Sequence, residues 1–300
     1  MTLVAGIDIG GTKTAAGIVD PHGTLLRRHA VPTPASDGPA AVVAAAVRAV
    51  RDLGAPVAAV GVGSAGVVDP ESGRIVSATD ALLGWAGTAL RRDLERALGV
   101  PVAVDNDVHA HALGEAWRGA AAGRRHVLLA AVGTGIGGSL LVDGRVHHGA
   151  RSAAGHAGHV PVPSAAGAPC TCGGTSHAEA VGSGPALLAA YARSAPVPAS
   201  SLAEVSARAD GGEETARRVL ARGARALGEA LGGIVNMTDP ELVLVGGGVA
   251  HCGPAWWEPL RQAFEAELLP PLKGVELRPG SLGGDAALLG AARLALEVLR

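Results

Sequence analysis

The sequence predicts an α/β protein built from two related lobes, and three observations carry that prediction. Val4 to Val19 reads as a strand, a glycine-rich turn and a second strand, with another turn at Pro21-His22-Gly23 leading into a further apolar segment. Val127 to Val146 repeats the plan: Val127-Leu128-Leu129-Ala130-Ala131-Val132, then Gly133-Thr134-Gly135-Ile136-Gly137-Gly138, then Leu140-Leu141-Val142 and an Asp143-Gly144 turn. The two openings lie roughly 120 residues apart, and helical and strand patterns alternate between them, as duplicated α/β units require.

Each further element follows from local pattern. Helical periodicity covers Pro39 to Leu53 and Thr88 to Leu98, with a strand at Val57 to Val62 between them. Gly99 and Pro101 bound Val102-Ala103-Val104 as a short buried strand, and Asn106 or Asp107 then caps a helix from Val108 to Trp117. A hinge near Trp117 to Gly123 divides the chain into a small α/β lobe, residues 1–117, and a larger one, residues 118–300. In the larger lobe the second hairpin is followed by an irregular Gly/Pro-rich insertion at about 151–184, then a mainly helical stretch to Met237. The strand Leu242 to Val245 and helices near Ala255 to Leu268 and Ala286 to Leu299 complete the chain, with the final helix able to pack back on the small lobe.

Bulk properties exclude several classes of function. With 300 residues and 48% hydrophobic content the chain can bury a large core, built from small aliphatic side chains because aromatic residues make up only 2%. The net charge of −2 is spread evenly, and Lys13 and Lys273 are the only lysines, so neither nucleic acid nor an anionic membrane is expected as a partner. The chain enters an apolar strand at Leu3 without a leader pattern and contains no run long enough to span a bilayer, which predicts a cytoplasmic protein. Three cysteines make a poor disulfide framework, but Cys170-Thr171-Cys172 suits a metal.

The stretch Val104-Asp105-Asn106-Asp107-Val108 carries the main chemical signal, because it places carboxylates where a strand turns into a helix. The helix dipole and free backbone N–H groups favour an ionised Asp there, as deprotonation of a substrate hydroxyl needs. Asp8-Ile9-Gly10-Gly11-Thr12-Lys13-Thr14 falls inside a hairpin, not before a helix, so it is not a P-loop; exposed N–H groups at its turn can still hold phosphate oxygens. Asp8, just before them, can orient hydrated Mg²⁺. Two such loops, together with Gly246-Gly247-Gly248 after a strand, predict a nucleotide cleft between the lobes.

These residues resemble, over nearly the whole chain, a sugar kinase of the ROK family (repressor, open reading frame, kinase) in the actin-like ATPase superfamily. The matching segments are Gly6 to Lys13, Gly61 to Asp69, Asp105-Asn106-Asp107, Gly133 to Gly138, His156 to Glu179 and Asp239 to Gly248. The resemblance implies two actin-like, ribonuclease H-like lobes with a nucleotide and sugar cleft, and ATP-dependent phosphorylation of a hexose or N-acylhexosamine 6-hydroxyl. It implies Asp107 as general base, and Gly66, Asn106, His156, His159 and Glu179 as sugar-binding residues. Asp8, Gly10, Gly11, Thr12 and Lys13 would form the first phosphate loop, and Gly133, Thr134 and Gly135 the second. Gly246, Gly247 and Gly248 would border the adenine. ATP, Mg²⁺ and a structural Zn²⁺ follow as cofactors, and a homodimer or homotetramer as the assembly.

Two departures from the family pattern are informative. The family's Cys-x-Cys-Gly-x-x-Gly-Cys run, preceded by a zinc-binding His, here offers His159, Cys170 and Cys172, with Ser176-His177 in place of Gly-Cys. His177 is the replacement fourth ligand, and four ligands leave no open position, so the zinc would be structural. His156 stands where the glucose-specific branch has Glu, and resembles the bacterial N-acetylmannosamine kinases. N-acetylmannosamine is therefore the first substrate expected, with a glucokinase as the alternative and a non-catalytic sugar sensor or sugar-binding protein behind both. His109 and His111 are expected to be solvated, and Cys252 to be a small packed side chain.

Overall fold

The computed structural model describes residues 2–300. In chain order the first elements are β1 (Val4–Ile9), β2 (Lys13–Val19), β3 (Leu25–Pro32), α1 (Pro39–Arg51), β4 (Val60–Ser64), β5 (Val67–Asp69), β6 (Arg74–Ser77), α2 (Leu90–Leu98), β7 (Val102–Asn106) and α3 (Asp107–Arg118). They are followed by β8 (Val127–Val132), β9 (Ile136–Val142), β10 (Arg145–Val146), α4 (Glu179–Gly182), α5 (Gly184–Ser194), α6 (Leu202–Asp210) and α7 (Glu214–Thr238). The chain ends with β11 (Leu242–Gly246), α8 (Pro254–Glu267), β12 (Glu276–Pro279) and α9 (Ala286–Val298).

Two five-stranded sheets share one plan. The first runs β3-β2-β1-β4-β7, antiparallel from β3 to β1 and parallel from β1 to β7. The second runs β10-β9-β8-β11-β12, with β8, β11 and β12 parallel. The hairpin of β5 and β6 and the edge strand β12 are absent from the sequence reading. Each is only three or four residues long and carries a charge, too little to show a period of two.

The chain divides into two compact units that are not consecutive halves. One contains residues up to Arg124, Leu140–Ala154 and Gly280–Arg300; the other contains Arg125–Ser139 and Gly155–Pro279. In the first unit, Ile7, Ile9, Ile18, Val60, Val62, Val102 and Val104 form a continuous core with Leu90 and Leu94 of α2. On the other face α9 lies so close to the sheet that a Cβ at Gly61 would sit 1.7 Å from the Ala291 carbonyl oxygen. The Ala- and Gly-rich faces of α9 and α3 permit this approach. In the second unit the irregular insertion is seated on α7: Val162, Ala165 and Ala178 pack with Ala226 and Ala230. Ser164 donates to Glu229 from both its N–H, at 3.0 Å, and its hydroxyl, at 2.6 Å. Among the described residues no helix is long and apolar enough to cross a membrane.

Candidate functional site

In the first unit the site is built at the junction of β7 and α3. Asn106 is the N-cap: its Oδ1 accepts from the N–H groups of Val108 at 2.9 Å and His109 at 3.2 Å. This resolves the choice that the sequence leaves between Asn106 and Asp107. The Asn106 amide donates to the Gly66 carbonyl at 2.9 Å and to Asp107 Oδ1 at 2.8 Å, so Gly66, Asn106 and Asp107 are brought together. Gly66 has φ +99°, and a Cβ there would lie 2.6 Å from the Ser77 carbonyl oxygen, so only glycine fits. Asp107 Oδ1 also accepts the Val108 N–H at 2.9 Å. Desolvation raises the Asp107 pKa against these hydrogen bonds, which makes the carboxylate a stronger base.

Asp8, at the end of β1, is pushed up to about 6, first by burial and then by the charge of Asp107, with Lys13 and Arg28 opposing. A half-buried pair of repelling carboxylates is the donor chemistry that a hard divalent cation such as Mg²⁺ neutralises. Beside it the β1–β2 turn is closed by the Gly10 N–H donating to the Lys13 carbonyl at 3.1 Å, with Thr12 and Lys13 exposed. Because the folded protein holds the Asp8 proton more tightly than the unfolded chain does, the stability it costs is present above pH 6 and disappears as pH falls towards 3.8. Asp8→Asn is therefore expected to stabilise the ligand-free protein at pH 7.5 by about 1 to 3 kcal/mol and to leave it little changed at pH 4. Thermal melts across that range check it; a gain that does not grow with pH would remove the repulsion.

In the second unit the Gly133–Gly135 turn after β8 is held from two sides. The Gly184 N–H donates to the Gly133 carbonyl at 2.8 Å, and Glu179 Oε2 accepts the Ile136 N–H at 2.7 Å. Gly247, with φ +86°, lies against the end of β8, where a Cβ would meet the Val132 carbonyl oxygen at 2.3 Å. The turn bearing Gly133, Thr134 and Gly135 and the turn of Gly246, Gly247 and Gly248 thus flank the same end of this sheet. Glu179 Oε1 accepts from Thr171 at 3.1 Å, linking the turn to the cysteine loop.

His159, Cys170, Cys172 and His177 converge, with one ligand atom from each within 4.8 Å of the others. Cys170 Sγ lies 3.7 Å from His159 Nδ1, and Cys172 Sγ lies 3.3 Å from His177 Nδ1. Tetrahedral zinc with ordinary bond lengths sets an S···N edge of about 3.6 Å, so the four donors fit that ion in number, type and spacing. The His156 ring stacks on His159 with centroids 6.1 Å apart, and His156 is exposed. Cys252 is buried outside this group, and burial raises its thiol to about 11, as a packed side chain requires.

The expectation that His109 and His111 are solvated is wrong. The first turn of α3 folds over the end of β7, and His109 is only 3% exposed. Its Nδ1 lies 2.8 Å from Asp105 Oδ1, while His148 Nε2 lies 2.8 Å from Asp105 Oδ2. His111 is pushed down by desolvation, and its Nε2 is buried with no hydrogen-bond partner among the described residues. Burial works to raise Asp105, but the hydrogen bonds from His109 and His148 prevail and hold it at about 2; the bond to Asp105 raises His148. The i,i+4 relation of Asp105 and His109 was readable in the sequence, whereas nothing local marks His148.

Comparison with known proteins places this arrangement. The model of the ROK family matches residues 4–298. The structure resembles a ROK hexokinase from Thermus thermophilus, at 37% identity and TM-score 0.85 over 99% of both chains. It also resembles a ROK family glucokinase from Streptomyces griseus in complex with glucose and AMPPNP, at 32% identity and TM-score 0.85, over 98% of this chain and 99% of that one. N-acetylmannosamine kinase from Escherichia coli is 32% identical, with 98% of each chain covered. With its family model spanning nearly the whole chain and full-length sugar kinases as relatives, this protein belongs to the ROK family of sugar kinases.

Proposed function

We propose that this kinase transfers the γ-phosphoryl group of ATP to the 6-hydroxyl of an N-acylhexosamine, with N-acetylmannosamine the first candidate. The observation that carries the choice of sugar is His156. A carboxylate accepts two hydroxyl hydrogen bonds, whereas a neutral imidazole offers one donor and one acceptor, so the exchange alters which hydroxyls or 2-substituent the site takes. Glucose is the second reading, favoured by the similarity to the Streptomyces griseus glucokinase.

In this reading Asp107 accepts the proton of the sugar's 6-hydroxyl as the hydroxyl oxygen attacks the γ-phosphorus and the bond from that phosphorus to the β,γ-bridging oxygen breaks, releasing ADP, while Asn106, Gly66, His156, His159 and Glu179 bind the sugar. The raised Asp107 pKa suits the proton transfer. Backbone N–H groups of Gly10 to Lys13 and of Gly133 to Gly135 bind phosphate oxygens, and Gly246 to Gly248 border the adenine. Asp8 would hold Mg²⁺, which would supply charge neutralisation of the phosphates. His159, Cys170, Cys172 and His177 would hold Zn²⁺, which would be structural and supply no chemistry; those side chains would then fix the loop that carries His159 and lies next to Glu179.

Coupled ADP release against glucose, N-acetylmannosamine, N-acetylglucosamine, mannose and fructose tests the substrate. The expected result is a higher kcat/KM on N-acetylmannosamine than on glucose, with His156→Glu shifting that ratio towards glucose by roughly 1 to 3 kcal/mol, or about 5- to 150-fold. Strong glucose preference that survives His156→Glu unchanged would leave the glucokinase reading in place.

A further inference from the structure

Asp105 is the last core residue of β7 before the cap of α3, and it is only 3% exposed. An isolated carboxylate there would cost several kcal/mol, and an aliphatic residue would continue Val102-Ala103-Val104 without that cost. The carboxylate is instead fully engaged. Oδ1 accepts the Asn106 N–H at 2.7 Å and His109 Nδ1 at 2.8 Å; Oδ2 accepts His148 Nε2 at 2.8 Å. Since an ionised carboxylate has no proton to give, both imidazole nitrogens must carry hydrogen, which fixes the tautomer of each ring when neutral. The rings also meet edge to face, with centroids 5.1 Å apart.

The placement of these bonds matters more than their number. Asp107 lies midway between Asp105 and His109, so the first turn of α3 is pinned to β7 on both sides of that carboxylate. Asp105 also holds the backbone N–H of Asn106, whose amide bonds Asp107. His148 comes from a separate segment, after β10, and brings a third anchor to the same carboxylate. With the three donors hydrogen-bonded directly to Asp105, the cluster is satisfied without a metal ion.

We propose that Asp105, His109 and His148 are positioning residues for the kinase reaction, an imidazole–carboxylate–imidazole clamp that orients Asn106 and Asp107 at the N-terminus of α3. The clamp rests on the reading of Asp107 as general base. His148 is the informative member, because it is partly exposed, touches neither Asn106 nor Asp107 through any hydrogen bond described above, and reaches the start of α3 through its bond to Asp105 and the edge of the His109 ring.

The test compares His148→Leu, which removes the donor, with His148→Gln, which can present an N–H close to the Nε2 position, on the full-length enzyme. Asp107→Asn and the double variant Asp107→Asn/His148→Leu complete a cycle. His148→Leu is expected to lower kcat at saturating sugar roughly 10- to 100-fold, the scale of a small misplacement of a reacting group, with the KM for ATP within about twofold of wild type. His148→Gln should recover most of the loss, and His148→Leu should add little in the Asp107→Asn background, because its effect passes through Asp107. Wild-type kcat in a folded His148→Leu, or a loss fully additive with Asp107→Asn, would overturn the clamp and leave the base assignment standing. An Asp107→Asn enzyme with near wild-type turnover would instead remove the base. Elemental analysis gives the last arm: a bound metal lost in His148→Leu would make the cluster a metal site and overturn the positioning role.

Discussion

Asp107→Asn is expected to bind sugar almost as wild type does while turning over about two to four orders of magnitude more slowly, the scale of a lost general base. Asn is near-isosteric, and its Oδ1 can still accept from the Val108 N–H and the Asn106 amide, so the start of α3 keeps its hydrogen bonds. Stability should hold or rise at neutral pH, because the substitution removes the charge that helps to raise Asp8. Steady-state kinetics, sugar binding by calorimetry and thermal melting separate these effects. Turnover above about a tenth of wild type would remove Asp107 from the proton-transfer role.

The second large effect concerns the cysteine loop. Protein purified without chelator is expected to carry about one zinc per chain, and Cys170→Ser or chelation should lower the melting midpoint by roughly 5 to 10 °C. Cys170 is buried, and desolvation raises its thiol; a bound metal would favour the thiolate there. The sugar KM should rise at the same time, because His159 contributes Nδ1 to the cluster. Elemental analysis that finds no zinc would sink the assignment.

The parts of the site that the sequence displays are those made by residues close in the chain. A helix cap at Asn106 or Asp107 and the two glycine turns follow from backbone requirements acting over a few residues, and the structure selects Asn106. The pair Cys170 and Cys172 was likewise readable, whereas His159 and His177 were expected beside it only from the family resemblance; the structure brings all four together within one loop. The β5–β6 hairpin was not, because Asp69-Pro70-Glu71-Ser72-Gly73 reads only as a turn and its flanking strands are too short for a period.

His109 shows where local reasoning stops. Its position on α3 was legible, but whether that face meets water or a carboxylate depends on how the first turn of the helix sits on β7. His148 lies 43 residues from Asp105, on a segment with no pattern of its own. The sequence by itself determined the duplicated α/β plan, the capped helix carrying Asp107, the glycine turns and the closely spaced Cys170 and Cys172, because strand period, cap chemistry and residue spacing are short-range constraints. Only the tertiary structure decided that Asp105 is buried between two imidazoles and that Glu179 braces the Gly133–Gly135 turn. Such polar contacts are selected by the desolvation each buried charge must offset, and their partners are fixed by packing, not by distance along the chain.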